Sequence, residues 1–145
     1  MKIRAMVIDD NYILRTIIAD ELQNRGYEVH SSAEPYFCPI LLDRKCSCPV
    51  DSHCTDIIIT DLNMPDMTGL EFIENQLGNG CKVQNIAVMS GGWTGEKIEH
   101  AKRLGCYILK KPFKIDEIKK WLDACENKLD HNSKLSDLPI SRQEF

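Results

Sequence analysis

Five side chains with useful chemistry stand where short apolar runs stop. Asp9 and Asp10 follow "IRAMVI" (3–8), and Asp61 follows "IIIT" (57–60). Ser90 closes "NIAVMS" (85–90), and Lys111 lies in "KKPF" just past "YIL" (107–109). Taken singly, each is ordinary. An acid after a strand can cap the next helix, which is the better reading of Asp10 alone. A serine at a strand end is common in turns, and a lone lysine is usually a solvated surface group. Together they mean more. Three carboxylates at one edge would repel and raise one another's pKa. A hard divalent cation such as Mg²⁺, which favours oxygen ligands, relieves that repulsion. A hydroxyl and an ammonium at the same edge could then hold an anion. Lys111 also precedes Pro112, so its backbone is biased away from helix and a cis bond is open to it.

These residues converge only if the right elements carry them. The apolar runs at 3–8, 57–60 and 85–90 read as strands buried on both faces, with "YEVHS" and "YIL" as shorter ones. Helical spacing separates them. Leu14, Ile18 and Leu22, with Ile17 beside them, form one stripe that stops at Gly26; Leu70, Ile73 and Leu77 form another. Ile98, Ala101 and Leu104 precede a stop at Gly105, and Ile115, Ile118, Trp121, Leu122, Cys125 and Leu129 line the last helix. "EPYFCPILLD" is a weak helix interrupted by Pro39. Five strands alternating with helices imply an α/β fold with a parallel sheet covered on both faces. In open sheets of this kind ligands gather at the carboxyl edge, where all five side chains fall.

Composition narrows the class. The chain has 145 residues, 43% hydrophobic and 28% charged, which suits one domain with one core. A net charge of -4 disfavours broad nucleic-acid binding. The N-terminus lacks the apolar run of a signal peptide, and no stretch approaches the ~20 apolar residues of a membrane span. A cytoplasmic protein is expected. These 145 residues show no sign of a second domain or repeat, and the polar stretch from 129 to 145 reads as a tail, either mobile or draped over the surface. His30, His100 and His131 show no acid–base partner in the sequence.

At this point "VIDDN", "ITDLNMPDMTGLEFI", "AVMSGG" and "LKKPF", in that order, resemble the receiver domain of two-component response regulators. Any one motif is weak, but the four together are specific. The resemblance covers residues 1–128. It implies a (βα)5 flavodoxin-like three-layer sandwich with strand order 2-1-3-4-5. It also implies roles. Asp61 would be the phosphoacceptor. Asp10, Asp61 and the Asn63 backbone carbonyl would ligate Mg²⁺, with Asp9 acting through water or as a further carboxylate. Lys111 would pair with one phosphoryl oxygen and Ser90 would hydrogen-bond another. The expected partners are a sensor histidine kinase or phosphotransfer protein and a downstream protein, with no direct nucleic-acid or membrane contact. Autodephosphorylation would be the chain's own chemistry.

The sequence departs from the family in two places. The family's switch residue, often aromatic, lies three positions before the lysine. Here that position is Ile108, with Tyr107 one step earlier, and a one-residue shift would reverse their faces. Gly91 and Gly92 leave the site open, so Trp93 either lies over its mouth or is a partly exposed loop aromatic. The family also does not account for an insertion at about 38–54, where Cys38, Cys46, Cys48 and Cys54 are four of seven cysteines. They could hold Zn²⁺ or an iron–sulfur cluster, remain reduced thiols, or form a disulfide. Hence an alternative: a metal- or redox-responsive interaction module on the same fold. A dehalogenase-like phosphatase is disfavoured, because "VIDDNY" lacks its D-x-D arrangement.

Overall fold

The computed structural model describes residues 2–34, 52–65, 67–129 and 134–135. Its elements in chain order are β1 (Arg4–Ile8), α1 (Tyr12–Asn24), β2 (Glu28–Ser32), β3 (Ser52–His53), β4 (Ile57–Asp61), α2 (Gly69–Gly78), β5 (Asn85–Ser90), α3 (Gly95–Arg103), β6 (Tyr107–Lys110), α4 (Ile115–Lys128) and β7 (Lys134–Leu135). The main sheet runs β2-β1-β4-β5-β6, and every pairing in it is parallel. With the two-residue β3 set aside, this is the expected 2-1-3-4-5 order of the flavodoxin-like fold.

The continuous apolar runs are buried on both sheet faces. Met6, Ile8, Ile58 and Val88 face one core cluster, shared with Leu70, Phe72 and Ile73 of α2 and Ala101 of α3. The alternate residues Val7, Ile57, Ile59, Ala87, Met89 and Leu109 face the other, against α1 and α4. Strand period 2 divides each run between the two layers. All five residues of β1 and of β4 are buried, which fixes the register from both sides.

The helices follow the expected stripes with two adjustments. α1 is capped by Asn11, whose side chain accepts from the Leu14 N–H at 3.1 Å, so Asp10 is not the cap. In α2 the buried stripe includes Phe72 and Gln76, and Leu77 is only partly buried. α3 buries Ala101 alone, with Ile98 and Leu104 half-buried. α4 buries Ile118, Trp121, Leu122 and Cys125, with Leu129 buried just past it and Ile115 only half-buried. Arg25 ties α1 to α4, donating to Asp123 at 2.9 Å and Glu126 at 2.6 Å.

The tail is not wholly apart from the fold. Lys134–Leu135 pairs in parallel with Ser52–His53, just before β4. The weak helix at 34–43 lies, from residue 35 onward, outside the described residues. So do Cys38, Cys46 and Cys48. Cys54 is buried in the cluster beneath α2 and α3. Nothing among the described residues supports zinc or an iron–sulfur cluster there. His30 and His100 do have acidic neighbours, Glu28 at 2.9 Å and Glu74 at 3.2 Å.

Candidate functional site

The carboxyl ends of β1 and β4 are neighbours because those strands pair directly, Ile8 opposite Thr60. The next residues on each strand carry the acids. Asp9, Asp10 and Asp61 each offer an oxygen, and these oxygens lie within 4.8 Å of one another. Asp9 is fully buried and Asp61 nearly so at 4%, while Asp10 is exposed. The Asp9 carboxylate accepts from the Asn11 N–H at 2.9 Å, and its carbonyl accepts from Arg15 at 2.7 Å. Asn11 therefore caps the helix with its side chain and holds the Asp9 carboxylate with its backbone N–H.

Lys111 reaches this cluster from the end of β6, across a cis bond to Pro112. Its ammonium donates to Asp61 Oδ1 at 2.9 Å and to Asp9 Oδ2 at 3.2 Å. Three carboxylates thus face one ammonium, leaving two negative charges over. Burial is the largest influence on Asp61 and pushes its pKa up; Lys111 opposes this, and the charges of Asp9 and Asp10 add to it. For Lys111 burial works against the charged form, but the bond to Asp61 and the two nearby acids outweigh it and raise its pKa.

Ser90 is 1% exposed at the end of β5. Its hydroxyl oxygen accepts from the Gly92 N–H at 2.9 Å and from the Asn63 amide at 3.3 Å, and its carbonyl accepts from the Lys111 N–H at 2.8 Å. Ser90, at the end of β5, and Asn63, two residues past Asp61, are therefore a bonded pair. The loop after Asp61 is held at both ends: Leu62 N–H donates to Met89 and Gly69 N–H donates to Leu62, each at 2.8 Å. Gly69 is required there, because a Cβ would collide with the Asp61 carbonyl.

Asp9, Asp10, Asp61 and Lys111 meet directly, while the Ser90 hydroxyl is engaged by Asn63 and Gly92. The sequence reading missed Arg15 and the capping role of Asn11; an Asn directly after the acid pair was the available signal for the second. Register also settles the two aromatics. Ile108 pairs opposite Val88 and packs on the α2–α3 side, three positions before Lys111, so the strand is unshifted. Tyr107 is exposed and stacks on Trp121 of α4 at 5.7 Å. Trp93 does not lie over the mouth. It packs on the α2–α3 cluster, and its indole donates to the Leu109 carbonyl at 3.0 Å.

An acid cluster bridged by a lysine, at the carboxyl edge of a 2-1-3-4-5 sheet, defines a class of signalling domain. Residues 5–123 match the family model of the response regulator receiver domain, and the chain belongs to that family, the receiver domain of two-component systems. It is 25% identical over 142 residues to the transcriptional regulatory protein PhoP of Escherichia coli, covering 98% of this chain and 59% of PhoP. The chain thus spans about three-fifths of the length of that curated relative. It is similar to the chemotaxis response regulator CheY4 of Vibrio cholerae, at 27% identity and a TM-score of 0.67, covering 86% of this chain and 99% of that one. The receiver domain of HemR from Leptospira biflexa shares the fold at a TM-score of 0.72 with 16% identity, over 89% and 98% of the two chains. Receiver domains typically bind Mg²⁺ at an acidic pocket, and the family interacts with histidine kinases or phosphotransfer proteins. Among the described residues, no helix is long and apolar enough to cross a membrane.

Proposed function

We propose that Asp61 accepts a phosphoryl group from a phosphohistidine of a kinase or phosphotransfer protein, and that the chain signals by altered protein contact. The observation that carries this reading is the Lys111 ammonium bridging Asp61 and Asp9. It holds one Asp61 oxygen in place and offers a positive charge beside the other acids. In the transfer, an Asp61 oxygen attacks phosphorus, the P–O bond forms, the P–N bond breaks, and the departing imidazole keeps its electron pair. Hydrolysis reverses the modification: water attacks the acyl phosphate and releases inorganic phosphate and the free carboxylate. Positioning and charge stabilisation supply most of the catalysis.

The donor set suits a hard divalent cation: three carboxylates within 4.8 Å, with two negative charges unbalanced by Lys111. Asp9, Asp10, Asp61 and the Asn63 carbonyl would hold Mg²⁺, which would supply charge neutralisation at the transferring oxygens. Lys111 would move its hydrogen bond from Asp61 to a phosphoryl oxygen. Ser90 would donate its hydroxyl to another.

A donor must also dock beside Asp61. Tyr12, Ile13 and Ile17 on α1 are 69%, 70% and 50% exposed, unusual for large apolar groups. Next to them Asn11, Leu14, Lys111, Pro112 and Phe113 line a cleft of about 420 Å³. This apolar surface adjoins the acids and suits the phosphodonor protein. The test uses beryllofluoride, a phosphoryl mimic, with Mg²⁺. Fluorine NMR should detect it bound to the wild type and not to Asp61→Asn; equal binding by both would overturn the assignment.

A further inference from the structure

We propose that Trp93 couples the state of the acidic site to β6. When an anion on Asp61 draws the Ser90 hydroxyl, the Gly91–Gly92 link shifts and the Trp93 indole leaves the Leu109 carbonyl. This rests on the phosphoacceptor reading and adds how that site is read out.

The linkage is short and continuous. The Ser90 hydroxyl oxygen accepts from the Gly92 N–H at 2.9 Å, so Ser90 cannot turn toward Asp61 without loosening that bond. One residue further on, the Trp93 indole donates to Leu109 at 3.0 Å, two positions before Lys111. The loop from β5 is thus fastened at Ser90 and at β6. Between these points stand two glycines that the present backbone does not demand. A Cβ at Gly91 would meet nothing closer than Lys111 at 3.9 Å, and one at Gly92 nothing closer than Ser90 at 3.9 Å. Their breadth of allowed torsions serves a second arrangement of this loop.

The aromatic positions support the same assignment. Ile108 occupies the place three before Lys111 and has no polar tip to change partners. Tyr107 is turned to the opposite layer and stacked on Trp121. Among the described aromatics, Trp93 is the one whose polar atom bridges the loop after Ser90 to β6. It is half-buried against the same cluster as Ile108 and Leu104, so its release would change the packing between α3 and β6. A break in a hydrogen-bonded, packed side chain is a discrete event rather than a graded one.

The 145-residue chain labelled with nitrogen-15 and carbon-13, with Mg²⁺ and beryllofluoride, tests this. The chain has two tryptophans, and loss of one indole cross-peak in Trp93→Phe assigns the other to Trp121. In the wild type, the Trp93 indole N–H and the Leu109 carbonyl carbon should both shift as beryllofluoride binds, while the Trp121 indole stays in place. In Trp93→Phe the fluorine signal of the bound ligand should persist, and the Leu109 carbonyl should no longer respond. A merely structural tryptophan would alter the ligand-free spectrum but leave that ligand-induced change intact. An unmoved Trp93 peak with ligand bound, or an undiminished Leu109 response in Trp93→Phe, overturns the coupling alone. Absence of any bound fluorine signal in the wild type overturns the phosphoacceptor reading and the coupling with it.

Discussion

Replacing Gly69 by alanine should destabilise the protein, although glycine-to-alanine changes in helices usually do the reverse. The usual gain is up to ~1 kcal/mol. At Gly69 the new Cβ would meet three backbone atoms: the Asp61 carbonyl oxygen, the Asp61 carbonyl carbon at 3.1 Å and Leu62 Cα at 3.2 Å. No rotamer change relieves a backbone collision. The backbone is also pinned, since Leu62 and Gly69 each engage a 2.8 Å hydrogen bond across this turn. Overpacking of this kind costs ~1–3 kcal/mol, and losing the Gly69–Leu62 bond adds ~0.5–1.5 kcal/mol. The helix gain offsets part of this, so a net loss of ~1–3 kcal/mol is expected. Gly78 is the internal control. It ends the same helix, and a Cβ there meets nothing within 4 Å. Gly78→Ala should be neutral or stabilising by a few tenths of a kcal/mol. In urea, with m of ~2 kcal/mol/M, Gly69→Ala should lower the midpoint by ~0.5–1.5 M and Gly78→Ala should not lower it. Equal shifts for the two variants would refute the argument from close approach.

Three further outcomes follow from other parts of the molecule. Ile13→Asp, at a 70% exposed position, should slow phosphotransfer from a cognate kinase while leaving beryllofluoride binding unchanged; an equal loss of both would place Ile13 in the site rather than on a docking surface. Asn11→Ala should cost ~1 kcal/mol through the lost cap, read as a urea midpoint shift, and a change near zero would remove its capping role. Glu28 is opposed by burial, but bonds from His30 and Arg4 outweigh this and hold its pKa below the ordinary 4.5. A depressed acid contributes stability above its unfolded pKa and loses it as pH falls through the folded one, so the stability gap between wild type and Glu28→Gln should narrow below about pH 4.5; a constant gap would sink the linkage.

The strands and their chemistry were legible because both signals are local. A run such as Ile57–Thr60 has no charged face, so it must be buried on both sides, and Asp61 marks where the uncharged run ends. The site was readable only as a set, since parallel order brings distant strand ends together. What was not legible depended on pairing. Whether Ile108 or Tyr107 faced α3 followed from its partner Val88, which no strand pattern supplies. The stripe of α2 was placed off-centre because three spaced residues do not locate the middle of a broad buried face; Phe72 and Gln76 complete it. The pairing of Lys134–Leu135 with Ser52–His53 rests on two-residue strands, too short to carry a period.

The bridges made by Lys111 have a consequence for how the molecule comes into being. They span 102 residues to Asp9 and 50 to Asp61. During synthesis from the N-terminus the acids emerge long before their counter-charge. Pairings of such separation form late, after the loop-closure cost of the whole parallel sheet has been met. A nascent chain halted before residue 111 would carry the Asp61 carboxylate without the charge that positions it. The charge that positions Asp61 therefore arrives only with the end of β6, and on the proposed reading competence for the phosphoryl group would wait for that strand.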